Sequence, residues 1–445
     1  MKKLILFIVA FLMGLGSLWA YDFSAVNSDG KMIYYNITDA IKHEVEVTQY
    51  PDVNSKYCGV ISIPASVVDN GTTYSVTGIG YKAFFGCSGL TSVTIPNLVT
   101  TIDDFAFEGC SGLTSVTIPN SVTTIGVSAF EGCSGLTSVM IGNSVTTIGA
   151  VAFEGCSGLR SVMIGNSVTR IGKYSFYGCS GLTSVTIPNS VTVIGWGAFE
   201  NCSGLTSVTI GNSVTTIEGA AFKNCSGLTS VKIPNSVTTI EEDAFMNCSG
   251  LKSVKIGKSV MTIANGAFAY CNGLTSVNIP KSVTTIGSFV FRNCSGLKSV
   301  VIPNSVTNIG GGAFIYCNGL TSVKIPKLVT IIGDVAFRGC SGLKSVVIPN
   351  SVKIIGNGAF AGCNGLRSVT IGNSVTKIGT GAFDDCYSLR QIDVRAVTPP
   401  ALGTDMLRNL WSSISVTVPC GALHAYQTDT GWKYFKDIRC NSKGD

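Results

Sequence analysis

The sequence predicts a solenoid: a parallel, strand-rich coil wound from one small unit repeated in tandem and capped at both ends. Three observations carry this. Fourteen cysteines, from Cys87 to Cys386, recur at an unbroken interval of 23 residues. The residues between them repeat too, close to Cys-Ser-Gly-Leu-Thr-Ser-Val-Thr-Ile-Pro-Asn-Ser-Val-Thr-Thr-Ile-Gly-x-x-Ala-Phe-x-Gly. Apolar residues hold fixed places within that period. A short period kept without insertion or deletion marks a stack of like units, each too small to bury its own apolar face, so the core forms only between neighbours.

The elements follow in chain order. Lys2 and Lys3 precede the apolar run Leu4 to Leu15, and Gly16, Ser17 and Ala20 follow it. This basic, apolar, small order reads residues 1–20 as a secretory signal peptide cleaved after Ala20. The run is short for a bilayer span and no later stretch approaches twenty apolar residues, so no transmembrane segment is expected in the mature chain. Residues 21–86 read as an N-terminal cap and an irregular entry rung. Within them Met32 to Ile37 and Val45 to Tyr50 are strand-like, while Ile61 to Pro64 and Tyr74 to Gly80 form one rung split by an insertion whose turn signal is Asn70-Gly71. Residues 87–395 are the tandem repeats. Residues 396–445 are a C-terminal cap, in which Val416 to Pro419 repeats the strand pattern and Tyr426, Trp432, Phe435 and Ile438 close the core.

Counted from its cysteine, each repeat is apolar at positions 1, 4, 7, 9, 13, 16, 20 and 21; in one unit these are Cys202, Leu205, Val208, Ile210, Val214, Ile217, Ala221 and Phe222. Positions 7 and 9 alternate with hydroxyl residues, the signature of a short strand with one buried face. Pro or Gly at position 10 ends that strand. Val and Ile at 13 and 16 form a second extended edge, and Gly-x-x-Ala-Phe is expected to make one short helical turn on the opposite side.

Cysteine in a secreted chain ordinarily suggests disulfides. Here equivalent side chains in a stack run parallel at about 4.8 Å, beyond the Cβ separation of roughly 3.8 Å that a disulfide prefers. The fourteen are therefore expected as a ladder of buried thiols. Cys58, Cys420 and Cys440 lie outside it, and a Cys420–Cys440 bridge is one open pairing, the two being near in sequence. Metal binding lacks the tight Cys-x-x-Cys grouping one ion needs, and no cofactor is implied. Only His43 and His424 are present, and no Ser/His/Asp or Cys/His constellation stands out, so catalysis has no carrier in the sequence. Glycines at positions 3 and 17 serve turns, since no phosphate-loop lysine motif accompanies them.

Variation inside the repeat falls on polar positions. From the middle of the chain onward, basic residues enter at position 8 (Lys232, Lys255, Lys324), position 5 (Lys252, Lys298, Lys344, Arg367) and position 11 (Lys258, Lys281, Lys327). Cys87 to Cys225 holds four basic and seven acidic residues, net −3, whereas Ser226 to Cys386 holds fourteen and six, net +8. Lysines on an exposed sheet also guard against aggregation. Read functionally, they form an extended patch for an acidic protein or sulfated glycan. The overall charge of +6 falls to +4 once Lys2 and Lys3 leave with the signal peptide, too mild to imply nucleic acid.

The pattern Leu-x-x-Val-x-Ile-Pro-x-x-Val-x-x-Ile-x-x-x-Ala-Phe-x-x-Cys resembles the BspA-like leucine-rich-repeat surface proteins over nearly all of the mature chain. The ends are similar as well: Ile61 to Gly80 looks like the family's entry rung, and Thr398 to Ala401, Val418-Pro419-x-Gly421, Tyr426, Trp432 and Phe435 look like its closure. The resemblance implies an α/β-type leucine-rich-repeat solenoid, a secreted or cell-surface location in anaerobic Gram-negative bacteria, and adhesion to host matrix proteins, epithelial cells or other bacteria. A self-associating structural component of the surface is the alternative, with an enzyme a distant third.

Overall fold

A computed structural model describes residues 21–52, 55–407 and 413–441; the signal-peptide reading of residues 1–20 lies outside these residues. The chain divides into two compact units, Met1–Ser190 and Val191–Asp445. Each is a parallel coil of 23-residue rungs, and every regular rung has three sides.

The first side is a strand at positions 6 to 8. In the first unit Ser115–Thr117, Ser138–Met140 and Ser161–Met163 pair in parallel, serine on serine. In the second unit the corresponding sheet runs from Ser207–Thr209 through Ser230–Lys232, Ser253–Lys255 and Ser276–Asn278 to Ser299–Val301. It resumes at Ser345–Ile348, Ser368–Ile371 and Gln391–Val394. The intervening segment Thr321 to Pro326 forms no strand. The second side is a two-residue strand at positions 15 and 16, such as Thr124–Ile125 paired with Thr147–Ile148, and Thr216–Ile217 with Thr239–Ile240. Along both strands the β-branched apolar residue points inward and the polar one outward, the period-2 pattern of the sequence.

The third side corrects the expected helical turn. Among the described residues the only α-helix is Leu423–Thr428, in the C-terminal cap. The Gly-x-x-Ala-Phe segments are instead consecutive hydrogen-bonded turns whose amides alternate in direction. The amides of Ala106, Glu108 and Cys110 donate back three residues, to Asp103, Phe105 and Phe107. Those of Phe105, Phe107 and Gly109 donate forward to the next rung, to Val127, Ala129 and Glu131. A helix would keep every amide within its own segment; here stacking claims half of them. The alternation requires left-handed backbone at positions 19 and 23. Position 23 is glycine or asparagine in most rungs, as that conformation prefers, but position 19 holds Phe105, Val151, Phe289 and Val335, all at φ between 50° and 59°.

The core between the sides is a set of stacked columns. Phe84, Phe107, Phe130 and Phe153 lie face to face at 4.8, 4.9 and 5.1 Å, with interplanar angles of 5° or less. In the second unit a like column runs from Phe199 to Phe383. Beside it, the fourteen cysteines from Cys87 to Cys386 are buried and free.

The N-terminal cap is built from β1 (Phe23–Val26), β2 (Met32–Asp39) and β3 (Glu44–Thr48), an antiparallel meander. The meander joins the second side because β3 runs parallel to the long strand of a hairpin. With β4 (Gly59–Ser62) on the first side, β5 (Ser66–Asp69) and β6 (Thr72–Ile79) make that hairpin. Its turn residues Asn70 and Gly71 both have positive φ, the geometry that suits Asn-Gly two-residue turns. At the other end Ser415–Val418 pairs with Gln391–Val394 and with Asp437–Cys440. Buried Tyr426 donates to the Ala396 carbonyl at 2.8 Å, and the Trp432 indole donates to the Pro400 carbonyl at 2.8 Å. A disulfide joins Cys420 to Cys440.

Candidate functional site: a cationic sheet face

Period-2 alternation turns position 8 outward, and positions 5 and 11 flank the strand at its two ends. All ten basic residues singled out in the sequence are exposed: Lys232, Lys252, Lys255, Lys258, Lys281, Lys298, Lys324, Lys327, Lys344 and Arg367. They lie on one side of the second unit. Between Ser226 and Cys386 the six acidic residues are Glu241, Glu242, Asp243, Asp334, Asp384 and Asp385, and every one falls at positions 17 to 23, on the turn side. The first side is thus cationic and carries no carboxylate over seven rungs.

The structure groups these residues unevenly. Lys232 and Lys255 are register partners on adjacent strands, with Lys252 on the second of these rungs. The Lys258 amide donates to the Asn235 side chain at 2.9 Å, which ties position 11 to the preceding rung. Along position 5, Lys252, Lys298 and Lys344 occupy alternate rungs, linked through Thr275 and Thr321 by backbone bonds, so they stand roughly 10 Å apart. Arg367 follows Lys344 directly, its amide bonding the Lys344 carbonyl at 2.8 Å. Lys324 and Lys327 sit on the rung whose first side forms no strand. The face is therefore a dense cluster at Lys232 to Lys258 and a sparser row beyond it.

Two features escaped the sequence reading. Arg390 extends position 5 past Arg367, its amide donating to the Arg367 carbonyl at 3.0 Å; it lies just outside the counted stretch. In the first unit the same side is a shallow, uncharged trough of about 590 Å³, floored by Thr94, Thr117, Met140 and Met163 and edged by Asn97, Asn120 and Asn143. The exposed methionines at position 8 were the available signal. Among the described residues no group of three His, Cys, Asp or Glu is placed to hold a metal ion, and no helix is long and apolar enough to cross a membrane.

A family model described as the BspA type leucine rich repeat region matches in six overlapping copies that together run from residue 70 to residue 420. The chain belongs to this BspA-type leucine-rich-repeat family. Two solved structures agree. A leucine-rich repeat protein from Bacteroides ovatus is 31% identical, with 84% of this chain and 95% of that one covered at a TM-score of 0.66. A leucine rich cell surface protein from Faecalibacterium prausnitzii is 31% identical with the same coverage, at a TM-score of 0.52. No curated protein matches. The BspA-type coil accounts for the parallel sides and the constant core; the basic residues are variation laid over that scaffold.

Proposed function

We propose that this chain is a secreted or surface-held binding protein whose second unit grips an acidic extracellular partner through its first side, in adhesion to host matrix proteins, epithelial cells or other bacteria. One observation supports the reading above others: ten exposed cations share a side free of carboxylates, while the acidic residues of the same rungs occupy the turn side. Separation of charge by face focuses potential on one surface and steers an oppositely charged ligand there. Lysines scattered only for solubility have no need to leave their acidic neighbours on another face. A carboxylate-rich protein is the expected partner, and a sulfated glycan is the other ligand the charge fits.

The test is a solid-phase screen of the signal-free protein against matrix proteins and sulfated glycans. It is run beside a variant with Lys232, Lys252, Lys255, Lys298, Lys324 and Lys344 replaced by glutamine. Binding by the parent that the variant lacks supports the proposal. Equal binding by both chains overturns it.

A further inference from the structure

The turn side of the second unit carries residues that packing does not demand. Trp196, Phe289 and Tyr316 are large aromatics left 38%, 40% and 39% exposed. Each lies along the coil over a glycine of the next rung: a β-carbon on Gly219 would collide with the Trp196 ring, one on Gly312 with Phe289 and one on Gly339 with Tyr316. Each ring is packed against glycine backbone on one side and is still about two-fifths exposed. The rings are thus flat plates, not knobs.

Between Phe289 and its neighbour Tyr270 stands Arg292, whose guanidinium lies 5.3 Å from the Tyr270 ring centre and 5.7 Å from that of Phe289. Its buried Nε has no hydrogen-bond partner. On the same rung as Arg338, whose carbonyl accepts from the Tyr316 amide, the Asp334 carboxylate is taken up by the amide and side chain of Asn357 on the next rung. Among the described residues neither Arg292 nor Arg338 is ion-paired.

We propose that the turn side from Tyr270 to Arg338 is a second binding surface, for an acidic oligosaccharide of the uronate type. A pyranose presents a flat face of C–H groups that fits an exposed aromatic plate. The unpaired guanidiniums, that of Arg292 set beside the Tyr270 and Phe289 rings, offer planar paired donors to its carboxylate. From Tyr270 to Arg338 the turn side carries two arginines against one carboxylate, Asp334, which Asn357 engages; this local excess of positive charge sets the anionic class, and flat plates favour a sugar over a protein anchor. The patch ends where Asp384 and Asp405 line a hollow of about 310 Å³ next to Arg338. This surface lies on a different side of the rung from the lysines.

The probe is an oligogalacturonate hexasaccharide, titrated by calorimetry into the signal-free protein, with its carboxyl-reduced form as the neutral control. Phe289→Gly with Tyr316→Asn removes both plates using residues found at the same positions in neighbouring rungs, Gly266 and Asn293, so the fold is expected to survive. Arg292→Gln with Arg338→Gln removes the charge. Each double variant is expected to weaken binding about tenfold or more, carboxyl reduction to do the same, and the six-lysine variant to bind as the parent does. Saturation-transfer NMR should label the pyranose ring C–H protons in the parent and not in the aromatic variant. Absence of binding by the parent, parent-like affinity in the aromatic variant, or loss of binding in the six-lysine variant overturns the proposal.

Discussion

The thiol of Cys248 donates a hydrogen bond of 3.2 Å to the carbonyl of Phe222, 26 residues back and one turn of the coil away. The same bond recurs from Cys271 to Phe245 and from Cys294 to Phe268, so each cysteine is both core filler and clasp between rungs. Burial pushes the thiols of Cys248, Cys294 and Cys340 up to about 12. Since the thiolate is the reactive form, the fourteen are expected to resist alkylation in the folded protein and to label only after denaturation. Mass spectrometry after a timed iodoacetamide pulse checks this; prompt native labelling of most of them would refute it.

Phe222 stacks between Phe199 at 5.4 Å and Phe245 at 5.2 Å. Phe222→Ala should cost about 3–5 kcal/mol through the cavity left behind, and the loss should spread to adjacent rungs because coupling runs between neighbours. Thr206→Ala, on the exposed side of the same rung, should change stability by less than about 0.5 kcal/mol. Urea melts followed by hydrogen exchange measure both. Similar costs for the two would mean inside and outside are reversed.

Glu46 packs against Gly80 in the cap, and its carboxyl is held above the usual range by burial first and then by the Asp103 charge. The raised folded-state pKa means the native state binds more protons than the unfolded one between the ordinary value and the raised one, so stability from this group falls as pH rises through that window. Glu46→Gln is expected to stabilise the cap at neutral pH, with the gain shrinking as acidification protonates the parent's carboxyl. Denaturation midpoints at neutral and mildly acidic pH decide it. A destabilised variant at neutral pH, or a gain that grows on acidification, would contradict the assignment.

Val335 holds φ at 50°, a left-handed conformation that is costly for a β-branched residue. Glycine stands at the same place in neighbouring rungs, Gly312 and Gly358. Val335→Gly should therefore stabilise, or at worst leave unchanged, by up to about 1 kcal/mol. Gly219→Ala should destabilise by more, since its β-carbon meets the Trp196 ring. Thermal unfolding compares the pair; the reverse order would show that the turn side is not shaped by stacking.

The two sheets were legible because alternation and β-branching act within a few residues: Val208 and Ile210 declare an inward face without knowledge of any neighbour. Asn70-Gly71 likewise announced its hairpin. The turn side was not legible, since Gly-x-x-Ala-Phe suits a helical turn by composition, and the force that overrides it, amide bonding from Phe105 and Phe107 to the next rung, has no local signature. Valine at 151 and 335 even argues against the left-handed backbone found there. For the lysines, exposure followed from the pattern, but their continuity did not. The rung holding Lys324 keeps the repeat sequence while its first strand is lost between Thr321 and Pro326, and the gathering of all acidic residues on another side appears only once positions become places.

The central claim is that the side on which the cations stand, and not their number, makes the binding surface. It is tested by moving them. In one variant the six lysines at 232, 252, 255, 298, 324 and 344 become glutamine while Thr215, Thr262, Thr284, Thr307, Thr330 and Thr376, exposed on the second side, become lysine, so net charge is unchanged. Affinity for the acidic partner identified in the screen is measured by surface plasmon resonance across a salt series. The account predicts that the parent binds with an affinity that falls as salt rises and that the transplanted variant, folded and equally charged, does not bind. Retention of the parent's affinity by the transplanted variant would contradict it.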